Sequence, residues 1–209
     1  MKISKMQSWT EAWHQRKFLI HFTLSLSTLF CIVLFIPHFF FFIQERNGTI
    51  LNDPLLKILP PRDLSAFTFT LIYLGILTAI ITFLFSPWLF VRGLEAYCIL
   101  TVIRITCIWL VPLNDPPGLV ILNDPFVNLI GYGGKVITRD LFFSGHTSTL
   151  FLLFLAAPHR GVKLFLLLIT VLVASSLLIQ HVHYTVDVLA APLFAFLSYR
   201  LAFGTNKNL

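Results

Sequence analysis

The chain has 209 residues, of which 57% are hydrophobic, 15% aromatic and only 11% charged. With a mean hydropathy of +0.85, this composition excludes a water-soluble globule. The net charge of +6 falls on Lys and Arg residues scattered between apolar runs, the pattern of cytoplasmic flanks in a membrane protein, so nucleic acid is not expected as a partner.

Lys2, Lys5, Arg16 and Lys17 precede an apolar run over 18–43, which is too long for the core of a cleavable signal and reads as a first span that stays. Further runs able to cross a hydrocarbon core about 30 Å thick fall at about 65–91, 94–113, 141–157, 162–180 and 184–203. The expected fold is an all-α integral membrane protein, a single six-helix bundle over residues 1–209. Six spans put both termini on one side. Lys2, Lys5, Arg16, Lys17, Arg92, Arg160, Lys163, Arg200 and Lys207 then lie on that side, and Arg46, Lys57, Arg62, Lys135 and Arg139 on the other. Nine positive residues against five favour cytoplasmic termini. The segments 44–64 and 114–140 on the outer side are the long ones, so function is expected there, and 114–140 is expected to dip back towards the membrane. Cys31, Cys98 and Cys107 sit in apolar runs without paired spacing and read as buried free thiols.

Ionisable groups in or at the ends of spans are costly and mark function. Four qualify: Arg104, His146, His183 and Asp187. His183 and Asp187, four apart at the start of the last span, are expected on one face of a helical turn, where the carboxylate orients the imidazole. His146 follows Ser144 and Gly145 at the start of the fourth span, so all three groups are expected at the outer ends of their helices. Two imidazoles and an acid in one layer suit phosphoryl transfer, one ring attacking phosphorus while the other protonates the departing oxygen. No metal and no cofactor is expected. Arg104, mid-span, is expected to face the bundle interior and to grip phosphate oxygens or pair with a distant carboxylate such as Asp140, and the helix start near Ser144 and Gly145 offers backbone N–H groups to an anion. His14, His21, His38 and His159 read as interfacial anchors.

These residues resemble a known superfamily, the type 2 phosphatidic acid phosphatases, and within it the sphingomyelin synthase branch. Asp140-Leu141-Phe142-Phe143-Ser144-Gly145-His146-Thr147 is similar to that branch's third motif and His181-Val182-His183-Tyr184-Thr185-Val186-Asp187 to its fourth. Arg104-Ile105-Thr106, running on to Pro116-Pro117-Gly118, is similar to the second, and Leu59-Pro60-Pro61-Arg62-Asp63 faintly to the first. The resemblance implies His183 as nucleophile forming a phosphohistidine, Asp187 as its orienting acid and His146 as the acid for the leaving group. The Lys/Arg-Pro and Ser-Arg signatures of the soluble-type phosphatases are missing, with Ser176-Leu177 where Ser-Arg would stand. Phosphate charge then falls to Arg104 and Arg139, so that Arg104, Arg139, Asp140 and Ser144 form the expected substrate-binding set.

The expected function is transfer of a phosphorylated head group from a glycerophospholipid to a lipid hydroxyl such as that of ceramide, with a lipid phosphatase or phospholipase C-like hydrolase as the alternative. The expected partners are phospholipid and lipid-alcohol substrates in the membrane. A haem-binding bundle would leave Asp187 and Ser144 unexplained, and a transporter finds no inverted repeat here.

Overall fold

The computed structural model describes residues 8–123 and 137–204. Among these the ordered elements are helices: α1 (Trp9–Trp13), α2 (Arg16–Glu45), α3 (Pro54–Ile58), α4 (Ser65–Leu84), α5 (Pro87–Leu110), α6 (Gly145–Ala156), α7 (Arg160–Ile179) and α8 (Thr185–Phe203). Five of them, α2, α4, α5, α7 and α8, are long and apolar enough to cross a membrane. The expected fourth span departs from this: α6 has 12 residues, about 18 Å at 1.5 Å per residue, well short of a 30 Å core.

Packing explains how so short a helix stands in the bundle. Helix α6 contacts α4, α5, α7 and α8, so it is walled by protein, where backbone that leaves helical geometry is tolerated at membrane depth. One core joins Ala96 and Leu100 of α5, Phe143, Leu152 of α6 and Ala191, Ala195 and Ala202 of α8. The alanines let the α8 backbone come close, as small residues do between membrane helices. A second core sets Phe69 and Ile72 of α4 and Leu150 of α6 against Ile169, Val173 and Leu177 of α7. Large apolar side chains such as Phe30 and Val33 of α2 and Leu189 and Leu193 of α8 point outward, as lipid-facing positions do.

Two expected boundaries move. The apolar run at 65–91 is cut by Ser86-Pro87, where Ser86 is extended (φ −139°, ψ 104°) and Pro87 opens α5. Pro disfavours helix at the residue before it yet fits the first helical turn. Pro37 and Pro192, by contrast, lie inside α2 and α8. Among the cysteines, Cys98 is buried but Cys31 is exposed, because it lies on the outward face of α2 where only lipid need cover it.

Hydrogen bonds sort the helix ends into two layers. At one end Trp9 Nε1 donates to the Leu84 carbonyl at 2.7 Å, and Lys163 Nζ to the Leu155 carbonyl at 3.0 Å. Here, too, His21 of α2 lies 2.5 Å from Glu95 of α5, which also pairs with Arg92 at 2.6 Å. At the other end Thr49 N–H donates to the Pro112 carbonyl and Asn114 N–H to the Thr49 carbonyl, joining the α2–α4 and α5–α6 connections in an isolated bridge. Gly48 permits this approach, since a Cβ there would lie 2.5 Å from the Leu113 carbonyl carbon. Of the segment expected to dip into the membrane, residues 124–136 lie outside the described residues, and 114–123 form no helix.

Candidate active site

The candidate residues gather at this second end. His146 stands in the first turn of α6, half-buried, its ring edge-on to Phe69 with centroids 6.0 Å apart. Ser144 caps that helix, its Oγ accepting from Thr147 N–H at 3.4 Å. The Ser144 N–H donates to the Asp187 carbonyl at 3.1 Å. That bond joins the Ser-Gly-His turn to the start of α8, and it commits one of the amides expected to be open to an anion.

His183 and Asp187 are 2% and 0% exposed. The expected shared helical turn is not formed: α8 begins at Thr185, because Tyr184 is extended (φ −70°, ψ 156°), and His183 stands in the turn before it. The pair still meets. His183 Nδ1 lies 3.5 Å from Asp187 Oδ2, within ion-pair reach but longer than a hydrogen bond. The same Oδ2 accepts from Tyr184 N–H at 3.0 Å, while His183 Nδ1 and Asp187 Oδ1 have no hydrogen-bond partner among the described residues. Since Nδ1 faces the carboxylate, Nε2 is the nitrogen directed away from it and available for chemistry.

Arg104 reaches from α5 to the irregular segment that leads into Ser144. Its Nε donates to the Phe143 carbonyl at 3.0 Å, and its Nη2 donates to the Asp140 carbonyl at 2.7 Å and to Asp140 Oδ2 at 2.9 Å. The guanidinium lies against Gly145, where a Cβ would be 2.9 Å from Cζ and Nε. Arg104 and Asp140 are thus brought together as an ion pair that braces the turn carrying His146. Arg139 turns instead to α2, its Nη1 donating to the Arg46 carbonyl at 2.5 Å and its N–H to Gln44 Oε1 at 3.2 Å.

Several residues of the site lie outside the expected set. Tyr184, fully buried, donates its hydroxyl to the Asn114 carbonyl at 3.0 Å and accepts from Leu51 N–H at 3.2 Å. His181 adopts a left-handed backbone (φ 55°), with Nδ1 2.7 Å from the Pro117 carbonyl and Nε2 3.0 Å from the Leu59 carbonyl. Gly118 (φ 79°) is needed there, since a Cβ would crowd His181 Nδ1 at 3.2 Å. Asp53 caps α3 through Leu55 and Leu56 N–H and accepts from Thr185 N–H at 2.6 Å and Thr185 Oγ1 at 2.9 Å. Burial pushes the Asp53 carboxyl up, but the donors from Thr185, Leu56 and Leu55 outweigh it and hold the group below its ordinary value. Only Asp53-Pro54 carries a local signal, that of a helix N-cap.

Fold and site together describe a helical membrane bundle with two histidines and a carboxylate at one end. A family model described as PAP2 superfamily C-terminal matches residues 139–203, the stretch that holds His146, His183 and Asp187. The match supports the type 2 phosphatidic acid phosphatase superfamily, and with it lipid phosphatase or phosphotransferase chemistry on lipid substrates in a membrane. No curated protein matches the chain.

Proposed function

We propose that the protein is a lipid phosphotransferase of the sphingomyelin synthase type. The observation that carries this reading is the joining of the Ser144-Gly145-His146 turn to the His183–Asp187 pair through the Ser144–Asp187 backbone bond. In the first step His183 Nε2 attacks the phosphorus of a glycerophospholipid, the bond from phosphorus to the diacylglycerol oxygen breaks, and His146 gives that oxygen its proton. In the second, a lipid hydroxyl such as that of ceramide attacks the phosphohistidine, the P–N bond breaks, and the hydroxyl proton passes to His146. Asp187 holds the His183 ring and stabilises its positive form. Arg104, through Asp140 and the Phe143 carbonyl, fixes the turn that carries His146 and supplies positive charge beside the site, whereas Arg139, held on the Arg46 carbonyl, and Ser144, committed to capping α6, have no part in the proposed substrate contacts. The apolar surroundings exclude water and favour a lipid acceptor over hydrolysis.

Detergent-purified protein incubated with head-group-labelled phospholipid, with and without ceramide, tests this directly. Label appearing in a sphingolipid only when ceramide is present is the expected result. Label released to water at the same rate with or without ceramide identifies a hydrolase and overturns the transferase reading.

A further inference from the structure

The mechanism leaves unexplained how Asp187 keeps an oxygen for His183 at the mouth of a helix crowded with amide donors. The opening amides of a helix have no partner in a preceding turn, and an acid at the third helical position reaches back to the amides that start the helix. Asp187 is that acid for α8. Its Oδ2 already serves Tyr184 N–H as well as lying toward His183. The next donors, Thr185 N–H and Thr185 Oγ1, go elsewhere: both are taken by Asp53, which comes from the α2–α4 connection, 132 residues away in sequence.

We infer that Asp53 is a positioning residue for the phosphoryl-transfer step: by taking the Thr185 donors it leaves the Asp187 carboxylate to orient His183. The inference deepens the proposed function and rests on it. Asp53 anchors itself at the same time, since its Oδ1 accepts from Leu55 and Leu56 N–H at 3.0 and 3.3 Å, so that the acceptor is built on α3 before it meets Thr185. Without that acceptor the Thr185 amide turns to the unpartnered Asp187 Oδ1, and the rotation of the carboxylate takes Oδ2 off the imidazole. A displacement of about 1 Å in a catalytic group costs turnover up to roughly a hundredfold without touching substrate affinity.

The test compares wild type, Asp53→Asn and Asp53→Ala in detergent, with Thr185→Val, which keeps the backbone donor and removes the hydroxyl. Formation of phosphorylated enzyme from labelled phospholipid is followed in a single turnover. Asp53→Ala is expected to slow it roughly ten- to a hundredfold at unchanged KM, Asp53→Asn less, and Asp53→Ala combined with Thr185→Val no more than Asp53→Ala alone. In parallel, imidazole nitrogen NMR of histidine-labelled protein, with the His183 signal assigned by His183→Gln, reads the tautomer of that ring without any substrate. A changed His183 tautomer balance in Asp53→Ala is expected. Normal phosphoenzyme formation with an unchanged His183 signal overturns the inference, even if the melting temperature falls. A wild type that forms no phosphoenzyme overturns the proposed function instead, and the NMR arm then decides the role of Asp53 alone.

Discussion

At the scale of single residues, the proposed mechanism divides the work between the two histidines by position. His183 is pinned in the turn before α8 with Nδ1 toward Asp187, whereas His146 sits half-buried on α6 beside Phe69. His183→Ala is therefore expected to abolish the phosphorylated intermediate. His146→Ala should still form it slowly from a donor whose leaving group needs little protonation. Equal loss with every donor, measured by trapping labelled enzyme, would contradict this division. Gly145 and Arg104 supply a second prediction. A methyl at position 145 meets the Arg104 guanidinium at 2.9 Å, a head group held by three hydrogen bonds, so Gly145→Ala is expected to dislodge it and lower both turnover and melting temperature. Arg104→Ala removes three hydrogen bonds and leaves the half-buried Asp140 without its cation, and is expected to lower the melting temperature. In the double variant the Gly145→Ala penalty should vanish, because its partner is gone, and additive losses in thermal melts would show that the contact is not the cause.

At the scale of elements, what was legible in the sequence is what local chemistry decides. Uninterrupted apolar runs announce α2, α4, α5, α7 and α8, since a membrane helix needs only length and low charge. The break between α4 and α5 was written in Ser86-Pro87, but the apolar residues Trp88, Leu89, Phe90 and Val91 hide it from any count of hydropathy. The shortness of α6 was not legible. Leu141, Phe142 and Phe143 are as apolar as a helix requires, and what holds them out of one is Arg104, 36 to 39 residues away. The same holds at α8: His183 and Asp187 have helical spacing, yet Tyr184 is drawn into an extended cap by bonds to Leu51 and Asn114. The Asp53 clamp on Thr185 at the start of α8 depends on charge. Asp53 is held below its ordinary value of 3.8, so its contribution is fully present above that value and is lost as pH falls through the depressed one. The melting-temperature gap between wild type and Asp53→Asn is accordingly expected to be largest near neutral pH and to shrink below about pH 4. A gap constant down to strongly acid pH would mean the clamp does not depend on the carboxylate charge.

For the whole molecule, the bundle has two chemically different ends. One carries His146, His183, Asp187 and the Arg104–Asp140 pair, braced by the two connections that meet at Thr49 and Leu113. The opposite end carries Arg16, Lys17, Arg92, Arg160, Lys163 and Arg200 together with an aromatic cluster of Trp9, Phe18, Phe22, Trp88 and Phe90. Trp beside basic residues is what a helix end presents to a membrane interface. The basic end is the one that the positive-inside bias retains, so the end with the proposed site is expected on the outer face. The prediction is read with two exposed positions at opposite ends, Lys57 and Arg160. In sealed vesicles of known orientation, a cysteine replacing Lys57 is expected to react with an impermeant maleimide from the outer side, and one replacing Arg160 only after the membrane is opened. The reverse pattern would place the active site on the cytoplasmic face and require its lipid substrates to be drawn from the inner leaflet.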